Sequence, residues 1–122
     1  MRHQDQVPDF IRASFPSIWS LEIMLHLKKS PRVAFSREEL ITRLRASDAV
    51  VSNSIASLLA GGFVCEEADK RFRYCPASSR THEMAAATEA LYQERPHAVR
   101  RVIVEGSANL SAFADAFKLW SD

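Results

Sequence analysis

At Gly61 and Gly62 the hydrophobic period of this chain changes from that of a helix to that of a strand, which rules out an all-helical or an all-strand fold. Upstream, "SDAVVSNSIASLLA" sets Val51, Ile55, Leu58 and Leu59 at helical spacing behind Ser47, whose hydroxyl suits an N-cap. Downstream, "FVCEE" and "RFRYC" are short β-prone runs joined by "ADK", which predicts a hairpin with a polar tip, ended by Pro76. Glycine tolerates the left-handed backbone that closes many helices, so the pair is a natural exit from the one and entry to the other.

Helices flank this centre on both sides. Pro8 is placed to open one or two helical turns around Phe10, Ile11 and Phe15, with Pro16 ending them. Ser17 caps "IWSLEIMLHLKK", whose apolar residues cover more than one side; such a helix is either central to the domain or packed against a second subunit. "SREE" at Ser36–Glu39 is a capping box announcing a short helix with Leu40, Ile41 and Leu44 on its buried side, and "RAS" leads tightly into Ser47. Beyond the hairpin, "SSRTHEMAAATEALYQER" carries Met84, Ala87, Leu91 and Tyr92 along one side until Pro96 breaks it. "HAVRRVIVEG" follows, and "NLSAFADAFKLW" has Asn109 as its cap with Leu110, Phe113, Phe117 and Trp120 as an apolar stripe.

The expected fold is therefore mainly α (α+β) in one compact domain. It comprises an arm with a short helix over 1–16, a helix–helix–helix–hairpin unit over 17–77, and a helical extension over 78–122. Three amphipathic helices beyond the hairpin exceed what a minimal core needs, so a homodimer is expected. No apolar run approaches the ~20 residues that cross a bilayer, and "MRHQDQVPDF" lacks the pattern of a signal peptide. A cytoplasmic setting without membrane contact, and two reduced cysteines, are the corresponding expectations.

The order helix, helix, helix, hairpin over residues 17–77 resembles the winged helix-turn-helix of bacterial transcription regulators of the MarR and ArsR type. The residues that carry the resemblance are "LRASDAVVSNSIASLLAGGFVCEEADKRFRYCPAS", with Gly62, Phe63, Val64 and Tyr74 at the places where that family shows its helix exit and second wing strand. The resemblance implies duplex DNA binding. The helix after Ser47 would present Ala49, Val50, Ser52, Asn53, Ser54 and Ser57 to the major groove, where asparagine pairs with adenine, serine hydrogen-bonds several base edges, and small apolar groups touch the thymine methyl. Lys70, Arg71 and Arg73 match basic wing positions, and Arg37, Arg43 and Arg45 are placed to hold phosphates.

One departure from the family is plain. That helix has no Lys or Arg, Asp48 is its single charge, and the 16 Lys and Arg of the whole chain face 15 Asp and Glu. Few net cations predict weak, salt-sensitive DNA binding. The alternative use of the same shape is a module that docks on another protein.

Other chemistry is sparse. No phosphate loop, nucleophile elbow or metalloprotease helix occurs, and the serines near Asn53 have no adjacent base, so neither an enzyme nor a cofactor is indicated. Cys65 and Cys75 lie on the two hairpin strands. A three-residue loop at Asp69–Arg71 would set them opposite each other as a redox pair, a two-residue loop would pair Cys65 with Tyr74, and otherwise both are small thiols filling strand positions. A zinc site from Cys65, Cys75, His82 and Glu83 does not match known spacings. His26 reads as a packing residue. Phe15, Trp19 and Met24 are either core or the walls of a ligand pocket.

Overall fold

The computed structural model describes residues 3–106. The chain runs α1 (His3–Ser14), α2 (Ile18–Lys29), β1 (Phe35–Ser36), α3 (Arg37–Leu44), α4 (Asp48–Ala60), β2 (Val64–Glu66), β3 (Arg71–Tyr74) and α5 (Ser79–Glu94). A further helix, α6, occupies residues 96–106. The fold is mainly helical with one small antiparallel sheet, and among the described residues no helix is long and apolar enough to cross a membrane.

Serine hydroxyls set the helix starts. Ser17 and Ser20 form reciprocal bonds at the head of α2, the amide of Ser20 donating to Ser17 Oγ at 3.2 Å and that of Ser17 to Ser20 Oγ at 3.4 Å. Ser36 and Glu39 close the expected capping box on α3, at 3.1 Å and 2.9 Å. Ser47 Oγ accepts from the amide of Val50 at 3.1 Å, and Ser78 Oγ from that of Thr81 at 3.1 Å. Each such bond satisfies an amide that the first turn leaves without a helical partner. Pro96 sits at the first position of α6, where its missing N–H is not needed.

α2 is central. Leu21, Ile23, Met24 and Leu27 are fully buried and Leu25 nearly so, which decides between the two readings of its broad apolar surface. Around it, one cluster joins Val7, Ile11 and Phe15 of the N-terminal segment to Leu40, Val51, Ile55, Leu58, Phe63, Met84, Val99 and Ile103. The N-terminal arm is thus part of the core, packed against α5.

Three expectations need correction. α1 begins at His3, with Pro8 inside it rather than at its start. The proline forfeits one amide bond in the second turn, and burial of Val7 (3% exposed) and Ile11 (0%) outweighs that loss. Leu59 is 37% exposed because Leu58 takes the core direction and the next residue turns about 100° away. The sheet has three strands in the order β1–β3–β2, not two. β1 pairs Phe35 with Phe72 and Ser36 with Arg71, and a two-residue strand running straight into a helix cap leaves no period to read. The stripe of Leu110, Phe113, Phe117 and Trp120 behind Asn109 lies outside the described residues.

The hairpin turns through Ala68, Asp69 and Lys70: the amide of Lys70 donates to Glu67 O at 3.0 Å and that of Glu67 to Arg71 O at 2.7 Å. Lys70 takes φ 63°, the left-handed position that such three-residue turns require. At the other end Gly62 holds φ +76°, and a Cβ there would lie 3.0 Å from that of Ala77, so glycine is needed twice over.

Candidate nucleic-acid interface

α3 and α4 meet through a short turn in which Arg45 adopts φ 56° and its amide closes α3 onto Ile41 O. That turn leaves one side of α4 against the core and the other open. Val51, Ser54, Ile55 and Leu58 point inward; Ala49, Asn53, Ala56 and Ala60 are exposed, with Ser52 and Val50 half-buried at the edges. Ser54 therefore cannot face a ligand. It is 4% exposed, three residues after Val51 and four before Leu58 on the buried side. Ser57 is half-buried and lines a cleft of about 420 Å³ with Phe15, Pro16 and Ile103, which reaches the exposed row only at its last member, Ala60.

Three of the arginines proposed from sequence, Arg37, Arg71 and Arg73, are already partnered. Arg37 Nη1 donates to Ser52 Oγ at 3.3 Å and lies 3.4 Å from Asp48 Oδ1. Arg71 bridges Glu39 at 2.6 Å and Asp69 at 3.3 Å. Arg73 Nε donates to Glu67 at 3.2 Å, and its Nη2 reaches Cys65 Sγ at 3.5 Å. Glu39 thus serves both the α3 cap and Arg71; the Ser36 amide, aided by Arg71, holds its carboxyl below the usual range. Glu67 raises the Arg73 guanidinium in turn.

Arg43 stacks over the Phe35 ring at 5.0 Å, Arg45 is exposed in the α3–α4 turn, and Lys70 is exposed at the hairpin tip. Among the described residues these three carry no ion pair. Six cations (Arg37, Arg43, Arg45, Lys70, Arg71, Arg73) stand against six carboxylates (Glu38, Glu39, Asp48, Glu66, Glu67, Asp69), so the surface is electrostatically mixed. Exposed pairs of this kind are screened by solvent and hold their partners weakly, so a phosphate can compete for the arginines.

The cysteines stand in neither of the two opposed registers weighed from sequence and remain small, half-buried thiols of the hairpin. The loop falls one residue earlier than the register that would oppose them, so Cys65 stands across from Arg73, and Cys75 lies two residues further on, just past the end of β3. The two are diagonal neighbours on one face, both free and half-buried. Burial, and then Cys75, push the Cys65 thiol up, which disfavours the reactive thiolate. His82 Nδ1 is engaged by Tyr74 Oη at 2.8 Å, and among the described residues no three His, Cys, Asp or Glu side chains gather as metal ligands. Met24 is core and Trp19 is 37% exposed, so they are not facing walls of one pocket.

What sequence reading missed is the set of partners. Asp48 and Ser52 stand one turn apart on α4, and their meeting with Arg37 of α3 needs the α3–α4 packing, which spacing alone does not give. Phe35 as a platform for Arg43 depends on the unforeseen β1.

A scan against family models finds no match for this chain, and comparisons with the curated proteins and with solved structures find none either.

Proposed function

We propose that residues 17–77 form a winged helix-turn-helix and that the chain binds duplex DNA, with sequence specificity or weak specificity, as a small cytoplasmic homodimeric transcription regulator. The element order α2–β1–α3–α4–β2–β3, with β1 closing the sheet beside β3, supports the winged-helix reading. The observation that carries the function is the open row of α4, where Ala49 and Asn53 face solvent on the same helix whose opposite side is core. Asn53 then reads adenine, Ser52 other base edges, and Ala49 or Val50 a thymine methyl. Arg43, Arg45 and Lys70 meet phosphates directly, Arg71 and Arg73 exchange exposed carboxylates for DNA, and Arg37, half-exposed beside α4, turns its remaining donors to it.

The salt dependence of binding tests this. Fluorescence anisotropy of a labelled duplex, titrated at several salt concentrations, gives the number of phosphates neutralised. Per bound protomer, the three unpaired cations alone give a slope of about −3 in log K against log salt, and all six give about −5. A slope in that range, reduced by Arg45→Ala, supports the reading; no binding at low salt refutes it.

A second reading, docking on a protein partner, is favoured by the equal numbers of cations and carboxylates and the neutral α4 row. It requires that purified protein fail to bind duplex at low salt while a partner protects the exposed amides of α4 from hydrogen exchange.

A further inference from the structure

We propose that Arg37, carried by the first turn of α3, is the base-reading cation that α4 itself lacks, held over the first turns of α4 by Asp48 and Ser52. The inference rests on the DNA-binding reading and assigns Arg37 a guanine rather than a phosphate. Three contacts close on one another: Arg37 Nη1 to Ser52 Oγ at 3.3 Å, Arg37 Nη1 to Asp48 Oδ1 at 3.4 Å, and Ser52 Oγ donating to Asp48 Oδ1 at 3.1 Å. Ser52 accepts from the guanidinium and donates to the carboxylate, so its hydroxyl proton is directed and the group has one preferred arrangement.

This arrangement changes the meaning of Asp48. A bare carboxylate at the start of a groove-entering helix would repel phosphates; paired here, it becomes a positioning group for a cation. A guanidinium has five N–H donors in a rigid fork, and the side chain of Arg37 remains 47% exposed, so donors are left for a second partner. The acceptor pair that matches such a fork in the major groove is O6 and N7 of guanine. Arg71 and Arg73 are tied to carboxylates of α3 and of the hairpin, and make no hydrogen bond to α4. Arg37 is the cation bonded to α4, through the Ser52 that precedes the adenine-reading Asn53 in sequence. The implied half-site contains both a guanine and an adenine.

The test is selection of duplexes from a random pool by the full chain, followed by anisotropy on the preferred duplex, with Arg37→Ala, Asp48→Asn and Ser52→Ala compared. For the wild type, replacing the preferred guanine by adenine or by 7-deazaguanine weakens binding by roughly 5- to 100-fold. Arg37→Ala abolishes that discrimination. Asp48→Asn keeps total affinity within about threefold but reduces the preference severalfold, with the thermal melt unchanged, a readout that a merely structural role of Asp48 would not move. Selected sites without guanine, or an Arg37→Ala variant that weakens all duplexes alike with a salt slope smaller by about one, overturn the assignment and leave DNA binding standing. Failure of the wild type to bind any duplex at low salt overturns both.

Discussion

α2 and α4 are almost equal in length, 12 and 13 residues, pack against each other, and are both rich in apolar residues, yet they serve opposite ends of the design. α2 is buried on most of its circumference, and even its Ser20 is enclosed, donating to Ser17 O at 2.6 Å. α4 is buried on one side and carries Ala49, Asn53, Ala56 and Ala60 on the other. The difference lies in side-chain size more than in polarity. Alanine is apolar by composition yet loses little when left in water, so a row of small residues leaves a helix open to a large partner without destabilising the free chain.

The sharpest way to break this comparison is a cavity in α2. Leu21→Ala removes a side chain that is 0% exposed at the centre of the cluster, and is expected to cost about 2–5 kcal/mol in denaturant unfolding. A cost below 1 kcal/mol would mean that α2 is not the axis of the core. Next in size is the start of α3. Ser36→Ala removes the oxygen that accepts the Glu39 amide and should cost about 1 kcal/mol. Glu39 would retain Arg71, so a loss confined to stability, with duplex binding at low salt unchanged, separates the cap from the cation.

How much of this was legible in the sequence follows the same division. Serine caps, the proline break and the helix–hairpin switch depend on near neighbours, and Ser17, Ser36, Ser47 and Pro96 stand where local chemistry sets them. The start of α1 was misplaced because Val7 is held by distant core residues that outweigh the proline beside it. β1 was invisible since two residues carry no period. For the site, sequence reading placed Ala49 and Asn53 on the exposed row of α4 but not Ala56 or Ala60, and it did not exclude Ser54, a small polar residue turned into the core. The ion pairs were beyond reach: Arg71 meets Glu39 across 32 positions, a contact that only the fold creates. The hairpin loop was displaced by one residue, which moves the residue opposite Cys65 by two, since a left-handed lysine at the hairpin tip is not announced by a glycine.

A smaller effect probes α2 through pH. His26 Nε2 is buried without a hydrogen-bond partner, its ring packs 5.2 Å from Phe35, and burial first, then Arg43 and Lys29, lower its pKa. The folded chain therefore binds the proton less readily than the unfolded chain, whose histidine titrates near 6.5. Stability is complete above that pH and declines as pH falls through it, until the folded-state histidine is also protonated. Denaturant melts at pH 7.5 and 5.5 should differ in this direction, and His26→Gln should reduce the difference. An unchanged difference in the variant would move its origin to the carboxylates.

The least effect on stability belongs to the open row of α4, and there it is the contrast with binding that matters. Ala56→Lys places a long, charged side chain at an exposed helical position one turn beyond Asn53. The change in helix propensity is a few tenths of a kcal/mol, so unfolding should move by less than about 0.5 kcal/mol. If this row lies in the groove, the added cation steepens the salt slope of duplex binding by about 0.9 and strengthens binding at low salt. If the row docks on a protein, duplex binding is absent with or without the lysine, which instead weakens the partner by crowding a surface suited to alanine. A substitution that is silent in the free chain and audible in the complex is the behaviour expected of α4 and not of α2, where the Leu21 cavity does the reverse. That opposition turns the difference between the two helices from a description of burial into a measurable division of labour.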